Sequence, residues 1–295
     1  MAREYQEYQL ETRNGKITGM HWAANSTAKN PPQILALHGW LDNAASFQPL
    51  AQYLPDCEIL AIDLPGHGHS DWRAGKLWYH FIDYLEDVAL VRQQLGWEKF
   101  HLLGHSLGGA VASLWAAARP ATLHSLSIIE GLGPLSDSAE NTTQRVSKAL
   151  DSLHGLESKQ LRIFESIEQA AKVRAKSGNL QLELARILVQ RSLNPADNGT
   201  GWCWSTDPRL MLDNPNRFTE TQVLNLMQAI TTPLLLLHGD PLPDFINIES
   251  MKKRIAAAKV EKVVCIKGHH HLHMQHPQAI AAEINHHIHQ HNQSQ

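Results

Sequence analysis

The segment Gly104-His105-Ser106-Leu107-Gly108-Gly109 sets a serine among small residues, directly after the apolar run Phe100–Leu103 and before the helix-like stretch Leu107–Ala118. A serine on so sharp a strand-to-helix turn is held in a strained backbone conformation that exposes its hydroxyl. Glycines on either side remove the Cβ atoms that would clash there. The helix N-terminus brings free N–H groups and positive dipole beside a developing oxyanion. Ser106 is therefore a candidate nucleophile. Two further groups must serve it: a base for its proton and a carboxylate to orient that base. Histidines are plentiful late in the chain, at His269, His270, His271 and His273. Carboxylates stand in Ile128-Ile129-Glu130-Gly131 and in Asp240-Pro241-Leu242-Pro243-Asp244.

These residues fall at the ends of short apolar runs. Ile34–Leu37 ends at His38-Gly39, Glu58–Ile62 at Asp63, and Leu126–Ile129 at Glu130. Leu234–Leu237 ends at His238-Gly-Asp, and Val263–Ile266 at Lys267-Gly-His. Runs of four to six apolar residues without alternation suit strands buried on both faces. Helix-like stretches near 80–95, 106–118, 248–258 and 277–290 supply the crossovers. The pattern predicts an α/β fold: an open, mostly parallel twisted sheet with helices on both faces. Ligands bind outside the carboxyl ends of such strands, where these polar residues gather. Residues 5–13 and 16–24 read as a leading hairpin about Asn14-Gly15. The interval 133–230 breaks the alternation. Its period is helical (Leu161, Phe164, Ile167, Ala171; then Leu180, Leu184, Ile187, Leu188), and it holds no convincing strand. It is expected to be a helical lid inserted into a core of 1–132 and 231–295.

Composition narrows the classes. The 295 residues are 43% hydrophobic, enough for a large core, which argues against intrinsic disorder. The 26 Lys+Arg and 29 Asp+Glu give a net charge of −3, no basis for binding nucleic acid or an anionic membrane. No stretch approaches the ~20 apolar residues of a bilayer span, and the N-terminal residues lack the apolar segment of a secretory signal. Three separated cysteines, Cys57, Cys203 and Cys265, suit a reducing compartment and a cytoplasmic protein.

Taken together, these motifs resemble the α/β-hydrolase superfamily over nearly the whole chain. His38-Gly-Trp-Leu-Asp-Asn-Ala-Ala-Ser-Phe47, Asp63-Leu-Pro-Gly-His-Gly-His-Ser70, the Ser106 turn and His270-His-Leu-His-Met274 are similar to its serine hydrolase-like (kraken-type) branch. The resemblance implies an α/β-hydrolase fold and an oxyanion hole made by the N–H groups of Trp40 and Leu107. It also implies a chain order of nucleophile, acid and histidine, with the histidine seven residues before the proline of the last helix. Counting back from Pro277 gives His270, with His271 the next choice. The family's usual acid position falls on Leu242, a departure. The acid is then Glu130, slightly favoured because other members use that strand tip, or Asp240, with Asp244 third. His67 and His69 are assigned to a structural turn.

Nine of the 19 histidines lie between His269 and His291. Neighbours in one short loop point apart, and those at the end of a helix complement its dipole. They are read as one catalytic histidine, its neighbours and a solvated tail, with no metal and no cofactor. The expected reaction is hydrolysis of a carboxylic ester of a small to medium apolar molecule through an acyl-enzyme. Trp202, Trp204 and Phe218 could wall its pocket. The alternatives are C–C bond hydrolysis or perhydrolysis on the same triad, or a ligand-binding protein that has lost catalysis. The partner is a small-molecule ester in the first case, and oligomeric state is left open.

Overall fold

The apolar runs become strands whose alternate residues are buried on opposite sides of one sheet. The computed structural model describes residues 3–25, 30–75, 78–156, 162–196 and 199–292. Its strands are β1 (Gln6–Thr12), β2 (Gly15–Trp22), β3 (Gln33–Leu37), β4 (Glu58–Ile62), β5 (Phe100–His105), β6 (Leu123–Ile129), β7 (Leu193–Pro195), β8 (Trp202–Trp204), β9 (Leu234–Asp240) and β10 (Lys262–Lys267). Eight of them form one sheet in the order β1-β2-β4-β3-β5-β6-β9-β10. β2 pairs antiparallel with both neighbours, and every pairing from β4 to β10 is parallel. The sheet is thus mostly parallel, as the apolar runs predict.

The helices are α1 (Gln48–Ala51), α2 (Tyr84–Leu95), α3 (Leu107–Ala118), α4 (Thr142–Leu156), α5 (Ile167–Gly178), α6 (Leu182–Gln190), α7 (Glu220–Gln228), α8 (Ile248–Ala257), α9 (Leu272–Gln275) and α10 (Pro277–His291). On one face Leu35, Leu37, Leu102 and Leu126 pack with Val88, Val111, Trp115, Val223 and Met227 of α2, α3 and α7. On the other face Ile34, Ala36, Leu103 and Leu235 pack with Leu50, Ile280, Ile284 and Ile288 of α1 and α10. Each such aliphatic side chain contributes about 1.5–3 kcal/mol by leaving water. That double burial explains why these strands do not alternate in polarity. Strand β10 differs: it lies at the sheet edge, and Val263 and Cys265 are exposed while Val264 and Ile266 pack. No helix of the described residues is long and apolar enough to cross a membrane.

The leading hairpin is shifted by one residue from its expected register. Thr12 pairs with Gly15, so Arg13-Asn14 forms the loop and Gly15 opens β2. Gly15 takes the positive φ of 109°, and the Thr12 hydroxyl accepts from Asn14 N–H at 3.0 Å, fixing the turn locally.

Between β6 and β9 the chain supplies α4 to α7, and also a pairing that periodicity did not show. The three-residue strands β7 and β8 pair antiparallel, with Phe164 bridged to Trp202. Elements this short carry no readable alternation. Phe164, Ala170, Ala171, Val189 and Leu193 form a satellite core with Trp202 and Trp204. Leu161 lies outside the described residues.

Buried polar contacts tie this insertion to the sheet. Arg191, just after α6, donates from Nε to Asp63 at 2.9 Å and from Nη1 to Glu7 at 2.7 Å. Asp63 is fully buried and also accepts from Ala44 N–H (2.8 Å), His69 N–H (3.1 Å) and the Thr18 hydroxyl (2.8 Å). The Asp63-Leu-Pro-Gly turn is thereby a hub of buried polar contacts. Arg191→Ala leaves the Asp63 carboxylate buried without its cation, an expected loss of about 3–5 kcal/mol. Urea unfolding at neutral pH measures it, and a loss below 1 kcal/mol would show that the pair does not anchor the insertion.

Candidate active site

The serine turn is built by close backbone approach. Ser106 adopts φ 51° and ψ −112° between β5 and α3, a conformation that no regular element contains. Its N–H donates to Ile129 O at 2.9 Å, and Gly108 N–H donates to His38 O at 3.0 Å. A Cβ on Gly108 would stand 2.0 Å from Leu37 O, and one on Gly104 2.5 Å from Gly108 O. A Cβ on Gly131 would lie 2.4 Å from Ser106 O. Glycine is therefore required at each of these three positions. The Ser106 side chain makes no capping bond to its own helix, so its hydroxyl is left for other partners.

The expected oxyanion donors flank this turn. Leu107 is the first residue of α3, where an N–H has no acceptor within the helix. Trp40 follows His38-Gly39, and among the described residues its backbone N–H makes no hydrogen bond. Its indole is half exposed and donates to Leu210 O at 3.1 Å, fixing the loop against the insertion. His38 is fully buried, and its Nε2 accepts from Leu64 N–H at 2.9 Å. The ring proton is thus on Nδ1, facing Gly39 O at 2.7 Å. Burial pushes its pKa down, which keeps the ring neutral. His67 is likewise buried and neutral, edge-on to His38 in the structural turn.

Of the expected acids, Glu130 lies beside His270: Oε2 is 3.3 Å from His270 Nδ1. Glu130 is buried at the tip of β6 with φ 58°, and its Oε1 accepts from Gly239 N–H. Its own N–H donates to Leu237 O at 2.9 Å, so both ends of the residue are held by β9. Asp240 and Asp244 are exposed, and among the described residues neither bonds His270. His270 keeps about a quarter of its side chain exposed (24%), enough to meet a ligand, and Phe245 stands edge-on to it at 5.1 Å.

Three residues of the site escaped the sequence reading: His105, Asp42 and Arg174. His105, next to the serine, donates from Nε2 to His270 O at 2.8 Å and so holds the backbone of that loop. His271, the next choice for the base, meets Asp42 at 3.1 Å. Arg174 of α5 reaches the same Asp42 carboxylate. Burial pushes the Asp42 carboxyl up, but His271 and Arg174 more than offset this and hold it well below the usual range. The available signal was position alone: Asp42 lies in the His38–Phe47 motif and His105 inside the serine motif. His269 is exposed, and His273 is buried against His105 and Phe47.

Comparison with known proteins shows that the fold is shared. Residues 32–277 match the family described as alpha/beta hydrolase fold. A Drosophila melanogaster protein named "Probable serine hydrolase" is 32% identical, covering 95% of this chain and 86% of its own. A Pseudomonas aeruginosa protein of solved structure superposes with a TM-score of 0.87 at 32% identity, over 97% of this chain and 99% of its own. The thioesterase domain from the curacin biosynthetic pathway superposes at 0.82 with 27% identity, over 96% and 99%.

The buried histidines fix a pH dependence. Burial pushes His67 and His273 down to about 3, and His38 and His105 also lie below the ordinary value. In the unfolded chain each takes up a proton near the usual pKa of about 6.5. Between those limits the unfolded state binds more protons, so stability is full above about pH 6.5 and falls as pH drops toward 3. Urea midpoints at pH 7.5, 6 and 5 should fall in that order, with a shallower decline in His273→Leu. Equal midpoints across the three would contradict neutral burial of these rings.

Proposed function

The chain belongs to the α/β-hydrolase fold family, and on that footing we propose that it is a serine hydrolase cleaving a carboxylic ester of a small to medium apolar molecule. The observation that carries the proposal is the Glu130–His270 pair, held by His105 beside the serine turn. The names of its relatives, a serine hydrolase and a thioesterase domain, support the same class of reaction.

In this reading the Ser106 hydroxyl gives its proton to His270 Nε2 as its oxygen bonds to the ester carbonyl carbon. The carbonyl electrons move onto oxygen, which sits between the N–H groups of Trp40 and Leu107. Each such donor is worth ~2.7–4 kcal/mol in the transition state. Glu130 accepts from Nδ1–H, fixing the tautomer and stabilising the imidazolium without taking its proton. The ester C–O bond then breaks, and the leaving alcohol takes the proton from His270. Water, deprotonated by His270, attacks the acyl-enzyme, and the carboxylic acid leaves as Ser106 regains its proton. Residues 133–230 act as the lid. The exposed faces of Trp40 and Phe245 offer apolar surface beside the reacting groups.

Labelling with a fluorophosphonate probe should vanish in Ser106→Ala, and persistent labelling of that variant would sink the assignment. On p-nitrophenyl esters of increasing acyl length, Glu130→Gln should lower kcat by as much as about 10⁴-fold. Asp240→Asn should leave kcat near that of the unaltered protein; the reverse pattern would move the acid to Asp240.

A further inference from the structure

Far from the serine turn, the fold gathers three residues that the sequence scatters. One ring nitrogen each of His287 and His291 and a carboxylate oxygen of Glu261 all lie within 4.8 Å of one another. His287 and His291 are one helical turn apart near the end of α10, the i, i+4 spacing that sets two imidazoles on one face. Their rings meet edge to face with centroids 4.9 Å apart. Glu261 comes from the turn before β10, and its backbone is fixed by donation to Leu234 O at 3.0 Å. His291 Nε2 approaches its carboxylate at 3.0 Å.

We propose that Glu261, His287 and His291 bind one zinc-class divalent cation, which staples the end of α10 to the start of β10. Two imidazoles and a carboxylate suit zinc, with a fourth position left to water. Ligand atoms around a tetrahedral zinc stand about 3.4 Å apart. Glu261 and His291 are partly exposed and already 3.0 Å apart, and they need to shift toward His287 by only on the order of 1 Å to reach that geometry.

The surroundings favour a ligand over a plain ion pair. His287 is 3% exposed, so one ligand is already desolvated and held, with Nε2 3.3 Å from Pro233 O. A carbonyl beside a ligating histidine is the usual means of orienting its ring. His101, 2% exposed, is a further buried histidine nearby, and its Nδ1 contacts Ser125 Oγ at 2.8 Å. Its Nε2 has no hydrogen bond of normal geometry, and it sits beside Asn292 within electrostatic reach of His287 and His291. A third imidazole thus backs the cluster with a nitrogen that lacks a hydrogen bond of normal geometry. Neighbouring His286 and His289 are exposed on another face and play no part.

Calorimetric titration of the full chain with zinc chloride tests this. The expected result is one event of unit stoichiometry with a raised melting temperature. Loss of a mere outer-shell partner weakens metal sites by about 10–100-fold, so Glu261→Gln and His291→Ala should each weaken the event at least tenfold and abolish the rise. Both positions are partly exposed, so these variants should fold. The event should persist in His286→Ala/His289→Ala and in His270→Ala, which separates it from the solvated tail and from the serine site. No unit event, one that survives both ligand substitutions, or one lost in either control would overturn the proposal.

Discussion

The first turn of α3 lies so close to the ends of β3 and β6 that no side chain fits between them. Gly104, Gly108 and Gly131 meet backbone oxygens at distances that a methyl group could not share. Everything at the sheet edge follows from this contact. It lets Gly108 N–H reach His38 O and Ser106 N–H reach Ile129 O, binding three strand ends into one rigid piece. Positive φ values at Leu41, Ser106 and Glu130 mark where that piece is strained. Three of the five non-glycine positive-φ residues among those described thus sit at the site, where strain is retained because the surroundings over-determine it.

Around this frame the polar interior is arranged to carry little charge. His38, His67, His105 and His273 are buried with depressed pKa values, so they act as neutral hydrogen-bonding or packing groups. Charge is confined to carboxylates with defined partners: Asp63 with Arg191, Asp42 with Arg174 and His271, and Glu130 facing His270. The histidine-rich loop is therefore three environments in sequence. His270 opens toward solvent, His271 toward Asp42, and His273 into the apolar layer beside Phe47.

Much of this was legible before any coordinates. The double burial of β3 to β6 and β9 leaves unbroken aliphatic runs, and strand-end polar residues mark the edge where the site forms. The Ser106 turn was readable because its glycines answer a local backbone demand. Which carboxylate would meet His270 was left between Glu130, slightly favoured, and Asp240, because both end a strand and their chemistry is the same. Only the pairing of β6 with β9, which seats Glu130 against Gly239, distinguishes them. Arg174 and Asp42 are 132 residues apart and obey no local pattern, and the Glu261–His287–His291 cluster needs the packing of α10 beside β10. Strands β7 and β8 are too short to show a period. At β10 an apolar run suggested burial where the edge position leaves half of it in water.

Asp42 accepts from a guanidinium on α5 and from an imidazole in the loop that carries His270. Were α5 to lift away, that carboxylate would lose a cation that now depresses its pKa. Its affinity for a proton would rise. Displacement of the insertion and proton uptake beneath the loop therefore favour one another, and linkage makes the effect reciprocal. The position of the insertion is in this sense weighed against acidity.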